Sequence, residues 1–370
     1  MISLFYPPKQ NVNRMVSEIK DTLSGRWWGQ GPKVDLFEKK FGKKFGFKYC
    51  VMTNSGTAAL HLAYILADNK KKSNWYRKTA IVPVLTCTAT CHPLKMQDIS
   101  IIFADIQKDT LTMDMSDMES KITYNTAMIV TVHLGGLVTN IKEIIKIAQK
   151  HDLPIIEDAC QALGAKDVGY GDFTCFSFQA IKGMSTGDGG MLVCKKKSDY
   201  ERAKRLRWFS IDREQKIKKN WQAWDRRGIT FDQEEIGYKY HPTDIDASIG
   251  LVALDDFDKN QAYRHKLVEV YRKELKDAKQ VTLLKTGDNA DWLFMGLISG
   301  NRDKFAERLR KKGIETNVAH IRNDIFTVFG GKRLLLPNMN AIEKKYICLP
   351  LNNHVAEKDV RYICKVIKNG

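Results

Sequence analysis

Cys175-Phe-Ser-Phe-Gln-Ala-Ile-Lys182-Gly-Met-Ser-Thr-Gly-Asp-Gly-Gly190 is the stretch on which the fold turns. The apolar runs Thr174–Phe178 and Gly190–Cys194 predict two short strands. Between them one lysine, Lys182, precedes a glycine-rich turn. A lysine in a partly buried pocket gives up its charge more readily and can form a Schiff base. The glycines permit positive φ and close approach of backbone to a ligand. A surface lysine ahead of a hairpin turn fits the same residues.

Upstream lies Ile155-Ile-Glu-Asp158-Ala-Cys-Gln161. An acidic residue at the C-terminal end of a buried strand stands where open α/β sheets place ligand groups. Buried there, a carboxylate needs a cation, and a pyridinium nitrogen would serve. An Asp capping a strand-to-helix turn is the alternative. Further upstream, Asn54-Ser55-Gly56-Thr57-Ala-Ala-Leu60 opens an apolar helix, Thr57–Ala67. Amides and hydroxyls at a helix N-terminus bind phosphate. An ordinary N-cap by Ser55 or Thr57 reads equally well.

The same alternation runs through the first two thirds of the chain. Helical spacing marks Val34–Phe45 and Asn140–His151, and short apolar runs mark Thr79–Val84, Ile99–Ala104, Ala127–Val132 and Pro154–Glu157 as strands. This predicts an α/β fold with a largely parallel central sheet flanked by helices. After residue 250 the texture changes to a long charged helix, Leu251–Leu275, then short elements including helices at Lys304–Lys312 and Glu357–Lys368. The expected division is a large α/β domain, 1–250, and a small α+β domain, 251–370.

The 370 residues are 43% hydrophobic and 10% aromatic, ordinary for a globular protein. No apolar stretch reaches membrane-spanning length, and the start MISLFYPPKQ lacks the features of a secretory signal. Eight scattered cysteines without a CxxC pair point to reduced thiols and a cytoplasmic protein. Packing of Cys87 and Cys91 as free thiols is favoured over a metal site. The net charge of +17 raises nucleic acid as a partner, but the basic clusters at Lys70–Lys72, Lys195–Lys197 and Arg202–Arg207 accompany no nucleic-acid motif. A solvated basic surface and a field for phosphorylated anions both fit the charge.

In this order and spacing the motifs resemble the DegT/DnrJ/EryC1 sugar aminotransferases, within the aspartate aminotransferase (type I) fold of pyridoxal-phosphate enzymes. The resemblance runs nearly end to end. It includes Trp28-Gly-Gln-Gly-Pro, Asn54–Leu62, Val132-His-Leu-Gly-Gly136, Glu157–Ala162, Phe176–Gly190, Gly237–Gly250 and Leu349-Pro-Leu351.

The resemblance implies roles. Lys182 would be the Schiff-base lysine, and Asp158 would keep the pyridine nitrogen of pyridoxal phosphate protonated. Gln161 would lie near the ring, and Ser55, Gly56, Thr57 and Ser177 would hold the phosphate. Lys239 and His241 would reach the cofactor phosphate of the partner in a homodimer with shared active sites. Trp28, His320 and Arg322 would approach the substrate; a packed His320 and a surface Arg322 fit the same residues. At Cys87 the family usually carries an aromatic residue that stacks on the cofactor; a thiol offers only a small polarizable contact there.

The activity implied is amination of a nucleotide-linked keto-sugar, with glutamate or glutamine as donor and pyridoxamine phosphate as the intermediate cofactor form. Related dehydratases carry His at the lysine position, so Lys182 favours transamination. Ser185-Thr-Gly-Asp-Gly-Gly190 resembles members that aminate C4 of a 4-keto-6-deoxyhexose. A C3 keto-sugar, a keto-inositol, or a non-catalytic regulatory role are the alternatives.

Overall fold

The computed structural model describes residues 1–68, 78–213, 233–284 and 290–369; the basic run Lys70–Lys72 lies outside them. Ten strands are named in chain order. They are β1 (Tyr49–Thr53), β2 (Thr79–Pro83), β3 (Ser100–Ala104), β4 (Thr126–Val132), β5 (Ile155–Asp158), β6 (Phe173–Ser177), β7 (Gly190–Cys194), β8 (Val281–Leu283), β9 (Phe294–Ile298) and β10 (Tyr346–Leu349). The first seven form one sheet in the order β1-β7-β6-β5-β4-β2-β3.

Neighbours from β6 through β3 pair in parallel, as the alternation of strands and helices predicts. β7 is the exception, antiparallel to both β6 and β1. Residues 178–189 return directly from β6 without the crossover that a parallel partner requires.

Successive strand residues point to opposite faces, and each face has its own core. On one side, Val51, Cys175, Leu192, Val130 and Ala80 join the helix Gly56–Ala67. On the other, Met52, Phe176, Met191 and Val193 meet Phe37 and Phe41 of the helix Pro32–Phe45. The helix Gly56–Ala67 is apolar nearly all round because it lies in this interior.

The long helix spans Asp244–Leu275, opened by a capping box between Thr243 and Asp246. It begins seven residues before the expected start at Leu251, so the 250/251 division falls inside it. Ala247, Leu251 and Leu254 pack with the large sheet's second face. Leu267, Val268, Tyr271 and Leu275 pack in the C-terminal core, beneath the antiparallel sheet β10-β9-β8. The helices Arg302–Lys311 and Glu357–Lys368 cover that core. The chain's start also joins this end, where Ile2 bridges Ile314.

No helix among the described residues is long and apolar enough to cross a membrane.

Candidate active site

The register of the large sheet gathers the three motifs at one edge. Asp158, the last residue of β5, stands opposite Cys175 of β6 and Val132 of β4. Ser177, the last residue of β6, stands opposite Gly190, and Gly190 stands opposite Thr53 of β1. All lie at the C-terminal ends of the parallel strands, where this architecture opens its ligand crevice.

The backbone there is closely fitted. A Cβ on Gly56 would come within 2.8 Å of Ser177 Cβ and 3.0 Å of Cys160 Sγ. A Cβ on Gly190 would fall 2.4 Å from the carbonyl oxygen of Ser55. Ser55 caps the helix Gly56–Ala67, its Oγ accepting the Ala58 amide at 3.1 Å. The amides of Gly56 and Thr57 are thereby left at a helix N-terminus, where the first donors have no partner within the helix. Thr57 is exposed, and Ser177 is buried beside Gly56.

Asp158 is buried, 4% exposed. Its Oδ2 accepts the Thr90 hydroxyl at 2.6 Å and its Oδ1 accepts the Cys160 amide at 3.2 Å. Thr90 in turn lies 2.7 Å from the Thr86 hydroxyl. Glu157, the other acid of the motif, points to the opposite face of its strand. It pairs with buried His133 at 2.9 Å and accepts the amides of Gly169 and Gly171. Burial raises its pKa, but the His133 hydrogen bond and those amides outweigh burial and hold it below the ordinary carboxylate value. Alternation along one strand therefore sends the two acids to opposite faces, Glu157 to His133 and Asp158 to Thr90 and the Cys160 amide.

Lys182 is half-buried on the turn after β6. Burial lowers its pKa below the usual lysine value, while Cys160, Asp158 and Cys87 act in the opposite sense. Burial also raises the thiols of Cys87 and Cys160, aided by the nearby Asp158 charge. They are neutral at ordinary pH. Cys87 is half-buried just ahead of the helix Thr88–Met96.

Gln161 and His320 also meet. Gln161 Oε1 accepts the Gly135 amide at 2.6 Å, so its amide group donates to His320 Nε2 at 2.8 Å. The His320 proton then sits on Nδ1. Burial, then the charge of Lys182, pushes His320 down to about 4. Residues 321–324 dock on the loop after β2, where Asn323 Nδ2 donates to the Thr86 carbonyl at 2.6 Å.

Arg322 requires a correction. Its side chain is 0% exposed and ion-paired with Asp324 at 2.5 Å, with Asn340 and the Leu334 carbonyl taking further N–H groups. A guanidinium committed to buried partners cannot reach a substrate. It fastens the segment that carries His320.

Trp28 is 55% exposed, its indole N–H donating to the Leu23 carbonyl. Lys239 and His241 lie on the segment beside the N-terminus of the helix Gly56–Ala67. The Asn54 amide donates to the Tyr240 carbonyl at 2.9 Å, and Asn54 Nδ2 to the Lys239 carbonyl at 3.4 Å.

Three contributors escaped the sequence reading. Thr90 lies in the first turn of the helix Thr88–Met96, and Thr86 stands ahead of its cap, Cys87, so no helix-face spacing links them. Trp292 has no local signal. It arrives over Lys182 from the C-terminal part of the chain, with Nζ 4.0 Å from its ring centroid.

These residues fit pyridoxal phosphate on structural grounds. At Gly56 and Gly190 the backbone packs too closely for a side chain, a helix N-terminus lies there, and the amine of Lys182 lies near the carboxylate of Asp158. Sheet, lysine turn and carboxylate together fit an enzyme of the pyridoxal-phosphate-dependent class. The chain belongs to the DegT/DnrJ/EryC1/StrS aminotransferase family, which matches residues 9–368.

It is 33% identical to an uncharacterized protein of Methanocaldococcus jannaschii, over 95% of this chain and 94% of that one. It is 28% identical to GDP-perosamine synthase of Escherichia coli O157:H7, over 94% and 93%. The crystal structure of sugar aminotransferase CalS13 from Micromonospora echinospora superposes with a TM-score of 0.91 at 28% identity, covering 100% of both chains.

Proposed function

We propose that this aminotransferase acts on a nucleotide-linked keto-sugar, a 4-keto-6-deoxyhexose, and converts it to the aminodeoxysugar with glutamate or glutamine as donor. One observation carries the reading: the half-buried Lys182 amine feels the charge of the buried Asp158 carboxylate at the sheet end where Ser55, Gly56, Ser177 and Gly190 pack closely. Similarity to a GDP-perosamine synthase and to a sugar aminotransferase supports the substrate class. The net charge of +17 is compatible with a phosphorylated anion.

When bound, pyridoxal phosphate supplies an electron-accepting ring, and pyridoxamine phosphate is its amine-carrying form. In this reading Asp158 faces the ring nitrogen, while Ser55, Gly56, Thr57 and Ser177 hold the phosphate. Gln161 lies near the ring, its carbonyl held by Gly135. Cys87 adds a small contact. Lys182 takes up and returns the proton at the reacting carbon, and its lowered pKa suits an amine that must act as a base. His320 presents a neutral imidazole to the substrate, and Trp28 lines its approach. Lys239 and His241 serve the partner subunit of a homodimer. A cytoplasmic location matches the supply of nucleotide sugars and of amino donor.

The test is a product assay across 4-keto and 3-keto sugar nucleotides with glutamate, read by mass and NMR. Amination of a 4-keto-6-deoxy substrate at C4 is the expected result. Turnover confined to 3-keto sugars, or to a keto-inositol, overturns the substrate assignment.

A further inference from the structure

Trp292 is 5% exposed and held at three points. Its indole N–H donates to the carbonyl of Ile181 at 2.9 Å, the residue immediately before the lysine. Its neighbours fasten to the turn after β4: the Leu293 amide donates to the Gly135 carbonyl at 3.0 Å, and the Ala290 amide to the Gly136 carbonyl at 3.2 Å. That turn demands glycine. Gly135 and Gly136 have φ of 66° and 91°, and a Cβ on Gly136 would press within 3.2 Å of the Trp292 amide nitrogen. The His133-Leu-Gly-Gly136 motif thus serves as a dock for a distant tryptophan.

We propose that Trp292 is a positioning residue for Lys182: its ring face holds the amine over the site and favours the ammonium form against burial, so that both protonation states stay accessible. The proposal rests on Lys182 being the working amine of the site.

The physical argument is a balance. Burial favours the neutral amine. An aromatic face within about 6 Å of a cation favours the charged form. The other groups that face Lys182 are Asp158, Cys160, Cys87 and His320. The thiols and the imidazole are neutral, so the cation is supported by one carboxylate and one ring. A lysine that must both hold and release a proton works best when neither form is strongly excluded. The tether to Ile181 matters equally, because it fixes the ring relative to the backbone that carries the lysine.

The test uses the apoprotein and needs no turnover. Trace acylation across a pH series, with the Lys182 peptide quantified by mass spectrometry against exposed lysines, gives the titration midpoint of this amine. Trp292→Leu removes ring and tether together, and the midpoint is expected to fall by about 0.5 pH unit. Trp292→Phe keeps a weaker ring face and loses the tether, so its midpoint should fall by less than that of Trp292→Leu. Should the leucine variant fail to fold, fluorinated tryptophans placed at residue 292 keep the shape while weakening the ring face, and should lower the midpoint stepwise. An unchanged or raised midpoint in Trp292→Leu, an equal fall in Trp292→Phe, or no trend with fluorination overturns the proposal. Failure here leaves the product assay free to succeed, and the reverse also holds, so the two readings are separable.

Discussion

Thr90→Val isolates the setting of the site carboxylate. The Thr90 hydroxyl is fully buried and donates to Asp158 Oδ2 at 2.6 Å, with Thr86 behind it at 2.7 Å. Valine keeps the shape and removes the donor. A hydrogen bond to a charged group contributes about 1.5–3 kcal/mol net, and a buried acceptor left short of a donor loses that amount. The Cys160 amide at 3.2 Å is the longer of the two bonds and does not compensate. The apoprotein should therefore lose about 1.5–3 kcal/mol toward urea at pH 7. Because the loss belongs to a pair, the same substitution in an Asp158→Asn background should cost at least 1 kcal/mol less, as roughly expected for groups in direct contact. Urea titrations of the four proteins of this cycle measure both quantities. A cost for Thr90→Val below about 0.5 kcal/mol, or an equal cost in both backgrounds, would show that the hydroxyl does not support the carboxylate.

Lys182→Ala should abolish turnover and the visible absorbance of lysine-bound cofactor, read in a spectrophotometer with added amino donor; sustained catalysis by the variant removes Lys182 from its role. Arg322→Met should act on folding, because it strands buried Asp324: a loss of about 3–5 kcal/mol in urea is expected. A fully stable variant with only a raised KM would restore Arg322 to the substrate.

The pH dependence follows from His61, which is 2% exposed and lies between the Tyr240 hydroxyl and the Gln97 amide. Burial lowers its pKa from 6.5 to about 4. The folded state binds this proton less readily than the unfolded chain, so the stability linked to neutral His61 is present above pH 6.5 and lost as pH falls toward 4. The full span is ~3 kcal/mol. Unfolding midpoints measured from pH 7 to 4 should fall more steeply in the parent than in His61→Asn; parallel curves refute the assignment.

Much of the architecture was legible in the chain. Strands buried on both faces carry unbroken apolar runs, and helices between them carry period 3.6, so Thr79–Pro83, Thr126–Val132, Gly190–Cys194 and the helix Glu357–Lys368 emerge within a residue or so of their reading. The long helix was placed but begun late. Its first turn is polar, and Thr243 with Asp246 forms the cap that sets the start. The direction of β7 is not in its apolar run, which reads the same whichever way its partner runs, but in the short return over residues 178–189.

The site divides along the same line. The lysine, the acid and the helix N-terminus are local patterns, each with its own chemistry, and the chain alone determined which residue types were present and in what order. Alternation along β5 decided which acid meets which partner, turning Glu157 to His133 and Asp158 to Thr90. That Arg322 is locked in the interior, and that Trp292 covers Lys182 from 110 residues away, depend on contacts between segments far apart in sequence. Local patterns record the dihedral preferences and periodicity of neighbouring residues. The meeting of distant side chains is set by how whole elements pack, which only the tertiary structure decided.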